Sequence, residues 1–275
     1  MMGSNADSTQ MIKQSLRGDF DSLIEEKKSS LPNFIIIGAA KSATTTLTTV
    51  LPRHPDIFIS KPKEPKFFGR YHSKGWDWYA SRFEQGSSLA LRGEASTLYA
   101  SRMQSFRHTP ELMRRCLPHL KLIYIVRHPL ERIVSQWRHY RGRRPDCADF
   151  NDLMDNRTLR RLVVGCSLYH RHLSSYRRFF PDDQIHCMTF EDLLIDPKRS
   201  LRKLIRFLGV RPRVNLILDS GRKLPQENIA GAKGRDHVDK PEWDPGLRRR
   251  VLRVIKPDAR KMLSYMGKPK SYWDL

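Results

Sequence analysis

The sequence predicts an α/β fold, a three-layer sandwich in which a mainly parallel central sheet is covered by helices. The runs 34–37 (FIII) and 121–126 (KLIYIV) are apolar without alternation, which is typical of strands buried on both faces of a parallel sheet. After each run, apolar residues recur at helical spacing, so strands and helices alternate along the chain. These patterns leave the strand order open.

Length and composition favour a globular protein built on one large domain. The chain has 275 residues, 39% of them hydrophobic, and no apolar run approaches the roughly eighteen residues that would span a bilayer. We therefore expect no membrane span. Residues 1–30 are polar and mixed in charge, so we predict an N-terminal arm, helical or flexible, followed by a single domain over 31–275.

The cysteines and the N-terminus predict a cellular compartment. No C-x-x-C spacing occurs, and the chain does not open on a basic segment that leads into an apolar one. We interpret the cysteines as reduced thiols rather than a metal or disulfide framework, and we see no secretory signal. These observations lead us to expect a cytoplasmic protein.

The other elements follow from apolar spacing and from proline and glycine positions. The helix after the first strand is expected to begin just after Lys41 and to end at Pro52. Further strands are expected at 57–59, 89–94 and 185–190, and further helices at 75–83, from Pro129, at 169–180, at 201–208 and at 247–266. The segment 211–246 is long and irregular, which is more typical of a functional lid than of a simple connection.

The turn after the first strand has the residue types of an anion site. Small residues surround hydroxyl-bearing ones and a lysine in the run Gly38-Ala39-Ala40-Lys41-Ser42-Ala43-Thr44-Thr45-Thr46. A helix that begins here directs its first free N–H groups at the turn. A triphosphate-binding loop would have glycine where this chain has Ile35 and Ala40. We therefore predict a shortened loop that holds one phosphate-sized group.

Two further segments carry candidate functional residues. Arg127 ends the strand 121–126 and Ser135 lies two helical turns later, so both are expected to face the crevice at the carboxyl edge of the sheet. Glu64 lies among lysines in Lys61-Pro62-Lys63-Glu64-Pro65-Lys66, which would keep its carboxylate ionised beside anion-binding groups. Alternatives remain open: Arg127 could pair with Glu131, and Glu64 could form a surface ion pair with a neighbouring lysine.

The net charge of +22 favours anionic partners without identifying them. Nucleic acid, a sulfated or carboxylated glycan, and a phosphorylated cofactor all remain compatible. A nucleotide kinase-like phosphoryl transferase would need a glycine before Lys41 and an acidic metal ligand at a strand end, whereas 121–126 ends in Arg127. A nucleic-acid-binding protein would need clustered basic residues or a known module, but the arginines are scattered and no module is seen.

Over residues 33–265 the sequence resembles the sulfotransferases that use 3′-phosphoadenosine 5′-phosphosulfate (PAPS). The likeness is closer to the heparan-sulfate (glycan) type than to the cytosolic phenol and steroid type. It is carried, in the family's order, by 38–45 (GAAKSATT), 64–68 (EPKFF), 75–79 (GWDWY), Arg127 followed by Ser135, and 233–235 (KGR).

The resemblance implies transfer of a sulfuryl group from PAPS to a hydroxyl or amine by in-line displacement, with adenosine 3′,5′-bisphosphate (PAP) as product and no metal. It implies a P-loop-like phosphosulfate loop, with Glu64 as catalytic base and Lys41 at the leaving group. The implied donor-binding residues are Lys41, Ser42, Ala43, Thr44, Thr45, Arg127, Ser135, Lys233, Gly234 and Arg235.

The acceptor is less constrained than the donor. Lys66, Arg70, Ala95 and Ser96 are the acceptor-side residues that we assign, and their lysine and arginine favour an anionic small molecule or glycan. Ala95 stands where heparan-type enzymes often carry a lysine, so the sequence departs from that type on the acceptor side. We expect no specific nucleic-acid partner, and the oligomeric state is left open.

Overall fold

A computed structural model describes residues 3–16, 27, 30–101, 103–218, 224 and 238–275. In these ranges five parallel strands form one sheet in the order β2-β3-β1-β4-β5. The strands are β1 (Phe34–Gly38), β2 (Ile57–Ile59), β3 (Leu91–Ala95), β4 (Lys121–Val126) and β5 (Ile185–Thr189). The predicted α/β fold with a parallel central sheet is confirmed.

Helices precede, connect and follow the strands. They are α1 (Gly3–Ser15), α2 (Thr44–Val50), α3 (Gly75–Ala80), α4 (Thr109–Cys116), α5 (Pro129–Arg141), α6 (Arg157–Leu159), α7 (Tyr169–Arg177), α8 (Phe190–Ile195), α9 (Pro197–Leu208), α10 (Val214–Ile217) and α11 (Pro245–Tyr265). Short 3₁₀ turns add to them at Leu51–Arg53, His72–Lys74, Glu84–Gly86, Thr97–Ala100, Gln104–Phe106, Phe150–Met154, Gly165–Ser167 and Asp182–Gln184.

The apolar strands have no alternation because both faces of the sheet are covered. In β1, Phe34 and Ile36 pack into one core cluster, and Ile35 and Ile37 pack into the other. Residues 122–126 of β4 divide between the same two clusters, and all of them are fully buried. This burial on two sides is the physical basis of the predicted three-layer arrangement.

Several predicted boundaries differ from the observed ones. Strands 57–59 and 121–126 have the predicted bounds, and α5 begins at Pro129 as expected. The helix expected just after Lys41 begins instead at Thr44, because Lys41 and Ala43 have φ angles of 69° and 64° that an α-helix cannot contain. Within 211–246, residues 214–217 form α10, and 219–223 and 225–237 lie outside the described residues.

Part of the N-terminal arm packs on the domain. Ile12 of α1 is 3% exposed and belongs to a core cluster. Ser8 donates a hydrogen bond to the Arg70 carbonyl at 2.7 Å, and the Ser15 hydroxyl lies 2.8 Å from His72 Nε2. Within the described ranges, no helix combines the length and the apolar character needed to cross a membrane.

Candidate active site

The loop between β1 and α2, which we call the phosphate loop (residues 38–46), makes its turn in very little space. A Cβ at Gly38 would lie 2.9 Å from the Ala100 Cβ and 3.2 Å from a ring carbon of Tyr124, so only glycine fits there. The Ala39 N–H donates to the Ile125 carbonyl at 2.6 Å, which ties the loop to β4. The small residues in the sequence motif thus reflect close packing as well as room for a ligand.

A second lysine reaches the phosphate loop from another part of the chain. Lys63 Nζ donates to the Thr44 hydroxyl at 3.1 Å and to the Thr45 hydroxyl at 2.9 Å. Burial lowers the pKa of Lys63, and the charge of Glu64 partly opposes that shift. The lysine-rich segment after β2 therefore contributes positive charge beside Thr44 and Thr45, a role that the sequence did not indicate.

Glu64 lies in what we call the base loop (residues 64–68), which bends sharply at the carboxyl edge of the sheet. Lys66 Nζ lies 2.9 Å from Glu64 Oε2, and the Thr97 hydroxyl donates to Oε1 at 2.8 Å. Burial raises the pKa of Glu64, but hydrogen bonds and positive charge from Lys66, the Thr97 hydroxyl and the charge of Lys63 outweigh it, so the pKa lies below its ordinary value. The carboxylate is therefore ionised at neutral pH.

Arg127 directly follows β4, and its side chain extends toward the phosphate loop. Its guanidinium lies 3.5 Å from the Lys41 carbonyl oxygen, 3.7 Å from a Glu131 carboxylate oxygen and 4.7 Å from the centre of the Phe190 ring. The Tyr169 hydroxyl donates to the Arg127 carbonyl at 2.8 Å, which fixes the backbone at this point. The alternative pairing with Glu131 is therefore present together with a position at the phosphate loop.

These loops border one cavity of about 660 Å³. The predicted site residues at its wall are Lys41, Ala43, Thr44, Thr45, Glu64, Lys66, Arg127 and Ser135. Lys63 and Arg143 add further positive charge, so the cavity favours an anionic ligand.

Other predicted residues lie elsewhere. Ser42 is fully buried and its hydroxyl has no hydrogen-bond partner. Arg70, Ala95 and Ser96 are not at the cavity wall; the Ala95 carbonyl accepts from the Glu64 N–H at 3.0 Å, behind the base loop. Lys233, Gly234 and Arg235 lie outside the described residues.

One face of α5 lines the cavity and was missed except for Ser135. Gln136, His139, Tyr140 and Arg143 lie at the wall with it, at the spacing expected of one side of a helix that continues into the following turn. They lie one, four, five and eight residues after Ser135, and this helical spacing could have identified them from the sequence. Thr97, Leu162, Cys166 and Phe190 join the wall from distant segments.

The geometry provides positive charge for an anion, hydroxyl donors and an ionised carboxylate within one cavity. In the part of the chain that the structure describes, no group of three His, Cys, Asp or Glu side chains is placed to hold a metal ion. The four cysteines are free thiols. This set can bind a phosphate-containing ligand and can accept a proton beside it.

A family model described as "Sulfotransferase domain" matches residues 31–230. The chain therefore belongs to the sulfotransferase family. Together with the relatives below, this confirms the prediction of a PAPS-dependent sulfotransferase that is closer to the heparan-sulfate (glycan) type than to the cytosolic type.

Named relatives are similar to the chain over most of its length, and a solved structure shares its fold. Heparan sulfate glucosamine 3-O-sulfotransferase 3A1 from Homo sapiens is 30% identical over 285 residues, which cover 96% of this chain and 68% of the relative. The Mus musculus protein of the same name is 28% identical over 288 residues, 99% of this chain and 71% of the relative. A sulfotransferase structure from Alicyclobacillus acidocaldarius matches with a TM-score of 0.68 at 23% identity, covering 89% of this chain and 99% of that one.

The expected cytoplasmic location is wrong. Besides the heparan sulfate enzymes, a Dictyostelium discoideum relative named "Membrane-associated sulfotransferase kil1" is 41% identical over 117 residues, which cover 42% of this chain and 24% of that protein. The cysteine spacing misled the expectation, because the lack of a disulfide framework does not by itself identify a compartment.

Proposed function

We propose that this protein transfers the sulfuryl group of PAPS to a hydroxyl or amine of an anionic acceptor, such as an acidic glycan. The observation that carries the proposal is the shared cavity: the phosphate loop after β1, the base loop after β2, and Arg127 after β4 all reach it. Ligands of open parallel sheets bind at this edge.

The donor's two phosphate-bearing ends match two groups of residues. Lys41, Lys63, Thr44 and Thr45 would hold the 5′-phosphosulfate, with Lys41 at the oxygen on which negative charge develops as the bond to sulfur breaks. Arg127 and Ser135 would hold the 3′-phosphate, where the planar guanidinium suits phosphate oxygens. Lys233, Gly234 and Arg235 remain predicted to close over the donor.

Glu64 would act as the base. The acceptor oxygen or nitrogen forms a bond to sulfur, the bond from sulfur to the phosphate oxygen breaks, PAP leaves, and the acceptor's proton passes to the Glu64 carboxylate. Because its pKa is lowered by Lys66 and Thr97 against the effect of burial, the carboxylate is available in its ionised form at neutral pH. Positive side chains near both phosphates supply the charge that the leaving group needs.

The acceptor class is supported by the charge of the cavity wall. Lys66 and Arg143 are cationic residues of its wall that the donor assignment leaves for the acceptor, and His139 also lines it. Relatives named as heparan sulfate glucosamine 3-O-sulfotransferases support a glycan.

Binding of the donor product tests the first half of the proposal. PAP, 5′-AMP and ATP with Mg²⁺ should be compared by thermal shift, because a ligand at a concentration of 100 Kd stabilises the fold by about 2.7 kcal/mol. We expect PAP to raise Tm most and Arg127→Ala to remove its advantage over 5′-AMP. Stronger stabilisation by ATP with Mg²⁺ would instead favour a phosphoryl transferase.

Turnover with PAPS tests the second half. Heparan sulfate and other acidic glycans should be sulfated faster than a neutral alcohol or phenol. Lys41→Ala should lower kcat/KM by about 100-fold or more, as loss of a group that stabilises developing charge does. Lys61→Ala is the matched control, since Lys61 is exposed and does not line the cavity. Preference for a neutral acceptor would overturn the proposed acceptor class.

A further inference from the structure

A buried carboxyl group lies directly behind the base loop. Glu94 of β3 is fully buried. Both of its carboxyl oxygens accept hydrogen bonds from hydroxyl groups of other residues. Tyr79 and Tyr99 each donate to Oε1 at 2.9 Å, and Ser96 donates to Oε2 at 2.6 Å. Between them, the two carboxyl oxygens accept all three of these bonds.

Two of these hydroxyl groups also hold the base loop. The Lys66 N–H donates to the Ser96 hydroxyl at 3.0 Å, and the Phe68 N–H donates to the Tyr99 hydroxyl at 3.2 Å. A hydroxyl has a single proton. Because Ser96 and Tyr99 both give theirs to Glu94, the oxygen of each is left to accept from the loop.

The base loop needs such support, since its backbone is unfavourable in isolation. Glu64 and Lys66 have φ angles of 64° and 52°, in the left-handed region that residues with a side chain rarely adopt. The Glu64 N–H is held by the Ala95 carbonyl at 3.0 Å. Bonds to residues of the 94–99 segment thus hold the loop at Glu64, at Lys66 and at Phe68.

We propose that Glu94 is a positioning residue that, through the Ser96 and Tyr99 hydroxyls, fixes the backbone of the base loop and so places the Glu64 carboxylate in the cavity. The inference rests on the proposed role of Glu64 as base. Glu94 is fully buried and does not line the cavity, so it acts from behind the base loop rather than by contact with a ligand in the cavity.

Tyr79 offers a matched control. Its hydroxyl donates to the same Glu94 oxygen as that of Tyr99, at the same 2.9 Å, and both rings are almost completely buried. Its hydroxyl donates to Glu94, and its ring stacks on Phe67 at 4.2 Å between centroids, a contact that Tyr79→Phe keeps. Tyr79→Phe and Tyr99→Phe therefore remove the same bond to Glu94, but Tyr99→Phe also removes the acceptor of a loop amide.

Steady-state kinetics and hydrogen exchange of these variants test the inference. Ser96→Ala and Tyr99→Phe should each lower kcat by about tenfold with little change in KM for PAPS, because a small misplacement of a reacting group is costly. Tyr79→Phe should stay within about twofold of the wild-type kcat despite a similar loss in Tm. Amide exchange in the peptide that contains residues 64–68 should speed up in Ser96→Ala, Tyr99→Phe and Glu94→Gln, but not in Tyr79→Phe, and Ser96→Thr should restore protection.

The exchange measurement separates this inference from the proposed function. If Glu64→Gln keeps full activity, the role of Glu64 as base fails, while faster exchange in Ser96→Ala and Tyr99→Phe would still show that the network holds the loop. If Tyr79→Phe impairs kcat and loop protection as much as Tyr99→Phe does, the network stabilises the core in general and the positioning role is overturned. Unchanged exchange in Glu94→Gln would overturn it as well.

Discussion

The phosphate loop and the base loop both contain unfavourable backbone angles, and different contacts stabilise the two loops. Each places two non-glycine residues in the left-handed region, Lys41 with Ala43 and Glu64 with Lys66. The phosphate loop is anchored by main-chain contact with β4, its neighbour in the sheet. The base loop depends in addition on hydroxyl groups that are themselves oriented by a buried carboxylate.

This difference predicts which loop keeps its conformation when the residues that contact it are substituted. Main-chain contacts survive most side-chain changes, so the phosphate loop depends mainly on the space that Gly38 leaves. The base loop depends on particular side chains outside it, and a single oxygen atom lost from Ser96 or Tyr99 removes one of its bonds. We therefore expect substitutions of the residues behind the base loop to have little effect on binding of the donor. The same substitutions should slow the chemical step.

The largest expected effect separates the two loops by function. Glu64→Gln should lower kcat by about 1,000-fold, within the range of general-base catalysis, because the amide cannot take the acceptor's proton. Thermal stabilisation by PAP should be almost unchanged, because the phosphate-binding residues are intact. Parallel kinetic and thermal-shift measurements check both statements, and a variant that loses PAP binding together with kcat would show that the two loops are not separable.

The sequence predicted the phosphate loop better than the base loop, and the reason is physical. Residues 38–46 are contiguous, and their small side chains, hydroxyls and lysine are together visible in the sequence. The supports of Glu64 come from residues 95–99, which only the fold brings near it. Ser96 was assigned to the acceptor side, yet its hydroxyl lies between Glu94 and the base loop.

The unknown strand order explains why the contact of Lys63 with the phosphate loop was not predicted. Lys63 follows β2, and the phosphate loop follows β1, with β3 between these strands in the sheet. The strand order could not be predicted from the sequence, so nothing indicated that Lys63 would cross β3 to reach Thr44 and Thr45. By contrast, β1 and β4 were both predicted as buried strands of a parallel sheet, and the expectation that Arg127 faces the crevice at its carboxyl edge needed no strand order.

Lys63 tests how far the two loops are independent, because it directly precedes the base loop and its side chain bonds to the phosphate loop. Lys63→Met keeps most of the side chain's length but removes the charge and the bonds to Thr44 and Thr45, and should raise KM for PAPS by about tenfold. Lys63→Arg should recover part of the loss. The pKa of Glu64 should also rise when the Lys63 charge is removed, so the acidic limb of the kcat profile should move to higher pH. An unchanged KM would place Lys63 on the acceptor side instead.

The smallest effect concerns the buried carboxyl that supports the base loop. Burial raises the pKa of Glu94 from 4.5 to about 7, against hydrogen bonds from Ser96, Tyr79 and Tyr99 and with a further rise from the charge of Glu64. Between these values the native protein holds a proton that the unfolded chain has released. The contribution of this group to stability is therefore present below pH 4.5 and is lost as pH rises through about 7.

Urea unfolding of wild type and Glu94→Gln from pH 5 to 8 measures this contribution. Two histidines, the buried His72 and the half-buried His186, have pKa values lowered to about 4 by desolvation, and they shift stability in the opposite direction with pH. They are common to both proteins, so the wild-type free energy of unfolding minus that of Glu94→Gln isolates Glu94. That difference should fall by up to about 1.4 kcal/mol per pH unit across the window. A difference that is constant with pH would mean that Glu94 is ionised throughout the range, held by its hydroxyl donors more strongly than burial opposes it.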